Sequence, residues 1–405
     1  MKNFTRAITV GLGLAISPFL FSADGEMDSE DIQALRDWLN TKRQVTIREI
    51  GGNLSLSGEV RAEFQRSTEM VAGVPQRGPG TPFPTNAYDI EVNIMLDYRA
   101  DRTWAAIKLE FDNDSGLFTS TNNKIRLEKG YFGTRLYDGD IATFDIEVGR
   151  RPLFTVFDSK VEFTSQSDGI LFRYDVSLDD IGDFYIHAMA ELLDDRKDQY
   201  AYIGEFGWLA ILDTGLYFKY SVADWDTKHF SGTSKWRFDY IVNQWLLGYK
   251  FIPEKFGKLV MPYAAFLWNP VAAKSAITNH RKMNLGGYLG FSMGELRKKG
   301  DWAFDANYQV LQPQVVPDFD FNGIGLGNSA KVGLYTPSVY GGTGVQTSDT
   351  AVGNSNYRGF ALTLEYLLTN NLNLQQQWMQ SISLDHTVGP FRQFKQYEIE
   401  FIYGF

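Results

Sequence analysis

From residue 53 to the end of the chain, apolar and polar residues trade places at every step. Leu54, Leu56, Val60, Ala62 and Phe64 alternate with Ser55, Ser57, Glu59, Arg61, Glu63 and Gln65. A second run sets Tyr88, Ile90, Val92, Ile94, Leu96 and Tyr98 against Asp89, Glu91, Asn93, Met95 and Asp97. Successive side chains of a strand point to opposite faces, so each run predicts a strand with one apolar and one charged face. Further runs fall at 103–112, 124–136, 142–151, 168–176, 183–192, 199–212, 214–223, 238–251, 259–268, 283–293, 301–311, 356–367, 371–383 and 394–405, which brings the total to 16. Between Gly130 and Leu136 the facing is ambiguous.

The connections alternate in length as well. Short ones fall at Arg99–Arg102, Tyr137–Ile141, Ser177–Gly182, Asp213, Ile252–Lys258, Gly294–Gly300 and Thr369–Asn370. Longer ones fall at Arg66–Ala87, Asn113–Asn123, Pro152–Ser167, Leu193–Asp198, Asp224–Arg237, Asn269–Lys282, Gln312–Ser355 and Leu384–Gln393. Eight long and seven short connections suit 16 antiparallel strands whose two ends lie on the same side. Short turns on one side and long loops on the other are the layout of an up-and-down membrane barrel. A soluble sandwich alternates too, but buries its apolar face; a membrane barrel turns that face to lipid and places aromatic residues at both interfaces. The expected fold is all-β: a transmembrane antiparallel up-and-down β-barrel of about 16 strands over residues 53–405.

What precedes the barrel has a different pattern. Residues 1–23 read as a signal peptide: basic Lys2 and Arg6, an apolar run from Ala7 to Ile16, Pro18, and small Ser22 and Ala23 before Asp24 and Glu26. In residues 24–52, Ser29 is a plausible N-cap, and Ile32, Leu35 and Leu39 recur at helical spacing. The expectation there is a short amphipathic helical segment in the periplasm. Beyond residue 23 the longest apolar stretch, Leu259 to Trp268, is interrupted by Pro262 and falls short of the roughly 18 residues of a spanning helix.

Composition narrows the function classes. Aromatic residues make up 15% of the chain against an ordinary 44% hydrophobic content, which fits alternation and not apolar helices. The absence of cysteine excludes disulfides and thiolate metal sites. The net charge of −10, which becomes about −12 once Lys2 and Arg6 are removed, argues against nucleic acid as a partner, because counterion release needs clustered Lys and Arg. An enzyme would need a nucleophile held against a base. The four histidines are His187, His229, His280 and His386; His187 alone falls in a predicted strand, without a serine partner visible in sequence, and no HExxH or paired metal-ligand spacing occurs. No enzyme activity, cofactor or metal is therefore expected.

The last strand carries the sharpest signal. Tyr397, Ile399, Phe401, Tyr403 and the terminal Phe405 occupy every second position, with Glu398 and Glu400 between them. This strand resembles the terminal signal that the barrel-assembly machinery reads in bacterial outer-membrane proteins. The opening strand Leu54 to Phe64 is similar to the first strand of Gram-negative outer-membrane porins, and Val148-Gly-Arg-Arg151 resembles the strand end before their third loop. The helix ahead of the barrel departs from the best-known general porins and is closer to less-studied porins such as those of chlamydia-like bacteria. The resemblance implies a bacterial outer-membrane location, contact with lipid, passive diffusion of small hydrophilic solutes and ions, and a homotrimer as one assembly it allows.

Alternation assigns Glu59, Arg61, Glu63, Glu91, Lys108, Glu110, Glu147, Arg151, Arg173 and Lys219 to the lumen, since a charge on the lipid face costs roughly 2–4 kcal/mol at mid-depth. In the general porins the third loop folds inward; its counterpart here, 152–167, carries Asp158, Lys160 and Glu162. The expectation is that its acids face Arg61, Arg151 and Arg173 across the pore. Two other readings stay open. Tyr185, Tyr217 and Trp236 projecting inward would favour a selective channel for sugars or another nutrient, and a filled lumen would favour a plugged structural or adhesive barrel.

Overall fold

The computed structural model describes residues 45–49 and 52–405, except 82, 114–122, 162, 164–165, 195–198, 227–239, 256, 273, 275–277, 279, 318–323, 325–354 and 389. Sixteen long strands form one sheet. The first eight are β1 (Gly52–Val71), β2 (Asn86–Ala100), β3 (Thr103–Asn113), β4 (Asn123–Asp138), β5 (Ala142–Pro152), β6 (Gln166–Leu178), β7 (Gly182–Asp194) and β8 (Gln199–Leu209). The second eight are β9 (Leu216–Asp226), β10 (Tyr240–Tyr249), β11 (Val260–Trp268), β12 (Leu285–Gly294), β13 (Trp302–Leu311), β14 (Tyr357–Thr369), β15 (Leu372–Ser383) and β16 (Arg392–Gly404). Each pairs antiparallel with its neighbours in sequence, and β16 pairs back onto β1 from Arg392↔Val71 to Gly404↔Glu59. The sheet has become a closed barrel.

The seam is finished by the chain terminus itself. Phe405 N–H donates to Gly58 O at 2.9 Å, and Gly58 N–H donates to Phe405 O at 3.0 Å. The Phe405 ring lies over Gly58: a Cβ there would stand 2.5 Å from its Cζ and 2.7 Å from the Asn93 carbonyl oxygen. Beyond the last bond of β16, the same edge of β1 is taken by the short strand Val45–Glu49, which folds back with Val45 opposite Leu56 and Glu49 opposite Gly52. The described end of the 24–52 segment is thus a strand and not helix. The residues of the expected helix, Ile32, Leu35 and Leu39, and the signal peptide lie outside the described residues.

Outward positions are mostly apolar and stay exposed, as a lipid-facing wall requires, with Gln376 and Arg358 among the exceptions. Towards the short turns, Phe405, Tyr403, Tyr366, Tyr249 and Tyr174 are exposed; towards the long loops, Phe64, Tyr88, Tyr200, Trp268 and Tyr308 are. These two groups stand where a membrane barrel carries its aromatic girdles. No helix among the described residues is long and apolar enough to cross a membrane.

Three local departures from the alternation have physical causes. On β4 one residue is extra between the Lys108↔Lys129 and Leu109↔Leu127 pairs, and another between the Arg135↔Asp145 and Tyr137↔Phe144 pairs. Two bulges in one strand flip its facing twice, which explains the ambiguity around 130–136. The turn expected at Asp213 alone spans 210–215, with Ala210, Leu212 and Asp213 at positive φ, so β8 ends three residues early and β9 starts two late. The loop expected at 66–87 begins later, because β1 runs on to Val71 and folds back on Val74–Pro75.

Gly58→Val should displace the Phe405 ring and push on the Asn93 backbone, an overpacking cost of about 1–3 kcal/mol. The expected outcome is a lower midpoint for loss of the compact, heat-sensitive band on cold SDS gels; an unchanged midpoint would remove Phe405–Gly58 contact from the closure argument.

Candidate channel and its constriction

The inward positions divide the lumen into two unlike halves. From β16 through β1 to β6 the wall is charged. Arg61 stands amid three carboxylates: its Nη2 is 2.6 Å from Glu59 Oε1, its Nη1 3.4 Å from Glu400 Oε1, and its Nε 3.9 Å from Glu91 Oε1. Cross-strand register sets Glu400, Glu63 and Asp89 in one row beside it. Round the wall, Lys108 pairs with Glu128, and Arg126 Nε donates to Glu110 Oε1 at 2.7 Å. Glu147 gathers Arg151 (2.5 Å), Arg173 (3.8 Å) and the Trp104 indole N–H (2.9 Å), while the Arg151 guanidinium sits 4.2 Å from the Tyr131 ring centroid. The ten residues expected to line the lumen lie on β1 to β3, β5, β6 and β9. They are not equivalent: Glu59, Glu110, Glu147 and Arg151 are buried in wall ion pairs, whereas side chains of Arg61 (25%), Glu91 (26%) and Arg173 (38%) keep access to solvent.

The other half mixes apolar and polar side chains and holds a strap. After β5, Pro152 starts a single 3-10 turn, Leu153–Thr155, and the chain runs inside the barrel to β6. Leu153, Val156, Phe157, Val161 and Phe163 are all under 5% exposed and share one cluster with Leu171, Met189, Ile203, Trp225, Val242, Leu246 and Leu267, which project inward from β6 to β11. The Phe163 ring stacks at 5.8 Å on Trp225 and meets Phe157 at 5.0 Å.

Polar contacts set where the strap lies. Asp158 N–H donates to Glu205 Oε2 at 2.9 Å, and Gln244 Nε2 donates to Asp158 O at 2.6 Å. Lys219 Nζ reaches Asp158 Oδ2 at 2.9 Å, and Lys160 Nζ reaches Asp305 Oδ2 at 2.9 Å on β13. Gln309 Nε2 donates to Lys160 O at 2.9 Å. His187 Nδ1 lies 3.2 Å from Val156 O, which can only accept, so the imidazole serves the strap as a donor. Five buried apolar side chains at about 1.5–3 kcal/mol each outweigh the Asp158–Lys219 pair, whose carboxylate side chain is 50% exposed, at about 0–1 kcal/mol. Packing holds the strap; the ion pairs fix its register.

Asp158 is engaged by Lys219 and Lys160 by Asp305, and Arg61, Arg151 and Arg173 pair with acids of their own wall; Glu162 lies outside the described residues. Tyr185 and Tyr217 do face inward. Tyr185 is buried with its hydroxyl donating to Glu205 Oε1 at 2.7 Å, and Tyr217 lies between Lys219 and Lys250, each 5.9 Å from its ring centroid. Trp236 is outside the described residues. In the terminal strand Tyr397, Phe401, Tyr403 and Phe405 are exposed on the outer wall and Ile399 is half-buried between them.

Comparison with known proteins yields no matching family model and no matching curated relative. Among solved structures, the chain is similar to OprB of Pseudomonas putida, at high pH, with a TM-score of 0.51 and 10% identity over 87% of this chain and 94% of that one. A mutant of the Rh. blastica porin (TM-score 0.46, 9% identity, 87% of this chain and 100% of that one) and OmpT of Vibrio cholerae (TM-score 0.47, 11% identity, 89% and 100%) also match. At these identities the likeness to OprB is one of fold.

Phe163→Ala should cost the strap about 3–5 kcal/mol of packing and raise hydrogen exchange of the 153–161 amides, with the barrel still closed on a cold gel. Asp158 responds to pH. Burial pushes its carboxyl up, but Lys219, Lys160 and Lys250 outweigh that and hold it below the ordinary carboxylate value. Its contribution is therefore complete above about pH 3.9 and is lost as pH falls through the lower native value. Protection of the strap amides relative to their intrinsic exchange rates should stay flat from pH 7 to 5, and Asp158→Asn should lower it modestly at neutral pH; a loss of protection in the parent chain between pH 7 and 5 would contradict this assignment.

Proposed function

We propose that the chain is a passive diffusion channel of the bacterial outer membrane, a porin that passes small hydrophilic solutes and ions. One observation carries the reading: in a closed 16-stranded barrel with an apolar outer wall, charged side chains of the inner wall remain solvent-accessible past the strap, namely Arg61, Glu91 and Arg173. A barrel of this size leaves an aqueous lumen, and its width and lining charge set selectivity. The strap occupies the half bounded by β6 to β13 and narrows the passage towards the charged half.

The lining there is rich in acid, with Glu59, Glu63, Glu91, Glu398 and Glu400 around Arg61, and this supports a preference for cations. Tyr185 is already committed to Glu205, so the stacking surface a sugar-selective channel would use is reduced to Tyr217 among the described candidates. The general channel is therefore the reading preferred here over a nutrient-specific one. In the same reading the exposed aromatic row ending at Phe405 is the segment offered to the barrel-assembly machinery, and the outer wall meets membrane lipid. The tie to porins of chlamydia-like bacteria rests on the N-terminal segment alone.

Planar bilayers should show discrete conductance steps, and liposomes carrying the protein should swell in small sugars and not in large ones. No steps and no swelling would return the plugged barrel to favour. In a salt gradient the reversal potential should indicate cation selectivity, and the Glu63→Gln/Glu400→Gln double variant should move it towards zero.

A further inference from the structure

The outer wall has a hollow between β11 and β13. On β11, β12 and β13 the outward residues form cross-strand rows: Ala264 with Leu289 and Tyr308, then Phe266 with Gly287 and Val310. Gly287 puts no side chain into the middle of its row, and Ala264 only a methyl group into the other. Around them Phe266, Leu289 and Tyr308 stand 49%, 62% and 42% exposed. The missing side chains leave a groove of about 790 Å³ that runs up to the loop before β12.

The loop end of the groove has the opposite chemistry. Arg281 and Lys282 line it. Between Trp268 and Leu285 the sequence holds Lys274, Arg281 and Lys282 with no Asp or Glu, in a chain whose net charge is −10. Arg281 Nη2 rests 3.1 Å from Asp385 Oδ2 while its side chain stays 55% exposed, and Lys282 Nζ donates to Pro270 O at 3.3 Å. A guanidinium has five N–H donors and an ammonium three, so both retain donors beyond these contacts. Exposed Trp268, at the loop end of β11, marks the level at which a barrel's aromatic girdle meets headgroups.

We propose that this groove seats one molecule of a lipid with a phosphate headgroup, its chain along Ala264 and Gly287 and its phosphate against Arg281 and Lys282. The inference rests on the reading of the outer wall as lipid-facing. An acyl chain fills an apolar hollow without leaving polar groups unpaired, and a phosphate accepts from the Arg fork and the Lys point charge together. A neutral lipid gains only the groove and a free phosphate only the rim. The site selects the molecule that has both.

Native mass spectrometry of the folded full chain in detergent tests this, with dimyristoyl phosphatidic acid, dimyristoylglycerol and inorganic phosphate as separate probes. The expected result is one retained phosphatidic acid per barrel, with neither other probe retained at the same concentration. Arg281→Ala/Lys282→Ala should weaken that adduct about tenfold or more, the size expected of two basic residues at a membrane surface. Ala264→Phe should do the same by filling the groove; if it does not fold, the loop variant alone decides. Equal adducts in parent and loop variant, equal retention of dimyristoylglycerol, or loss of a dimeric mass in place of a lipid adduct would each overturn the proposal, the last by assigning the groove to a second copy. Conductance of the parent chain is read separately, so a failed channel and a failed lipid site give different results.

Discussion

In hydrocarbon no water is available to satisfy a strand's N–H and C=O groups, and each one left open costs several kcal/mol. Everything else in this molecule follows from meeting that condition at the last seam. The bonds between β16 and β1 end with Phe405 and Gly58 exchanging N–H and C=O, and Val45–Glu49 occupies the edge of β1 just beyond. With no edge in the apolar band, the side chains are free to sort by face. The outer wall becomes mainly apolar, and the lumen inherits most of the polar positions that the alternation produces.

The lumen then solves a second problem, since a wide barrel has too few side chains to fill its interior. Half of this one is left wet and charged, with its acids and bases balanced pairwise along the wall except at the seam, where acids gather round Arg61. The other half is filled by the strap. That division positions the passage: the filled side supplies rigidity, and the open charged side supplies the surface that solutes meet.

Much of this was legible in the chain. Period-two alternation specifies strands, and the long–short rhythm of connections specifies their number, because both are local. The turn at 210–215 was not, since Ala210, Leu212 and Asp213 adopt positive φ without the Gly or Asn that usually announces it. The strap was read by its charges, Asp158 and Lys160, when its apolar residues hold it. A signal was present. The inward positions Val242, Leu246 and Leu267 are as apolar as the outward ones on the same strands, and a strand apolar on both faces must meet protein on the inside. Which wall residue would meet Asp158 or Lys160 was beyond reach, for Lys219 and Asp305 are distant in sequence and are brought near only by closure.

The strap also bears on the making of the barrel. Leu153, Val156, Phe157, Val161 and Phe163 leave the ribosome ahead of most of the wall that covers them, whose residues run on to Leu267. Until β7 to β11 have paired, these side chains have little to cover them, and a partly built sheet carries them as sticky surface of the kind that promotes aggregation. Once the last strand has closed, a segment with both ends fixed to β5 and β6 can enter only from the loop end of the barrel. A strap seated while the sheet is still curling meets its wall strand by strand, whereas one seated after closure has to thread in from that end.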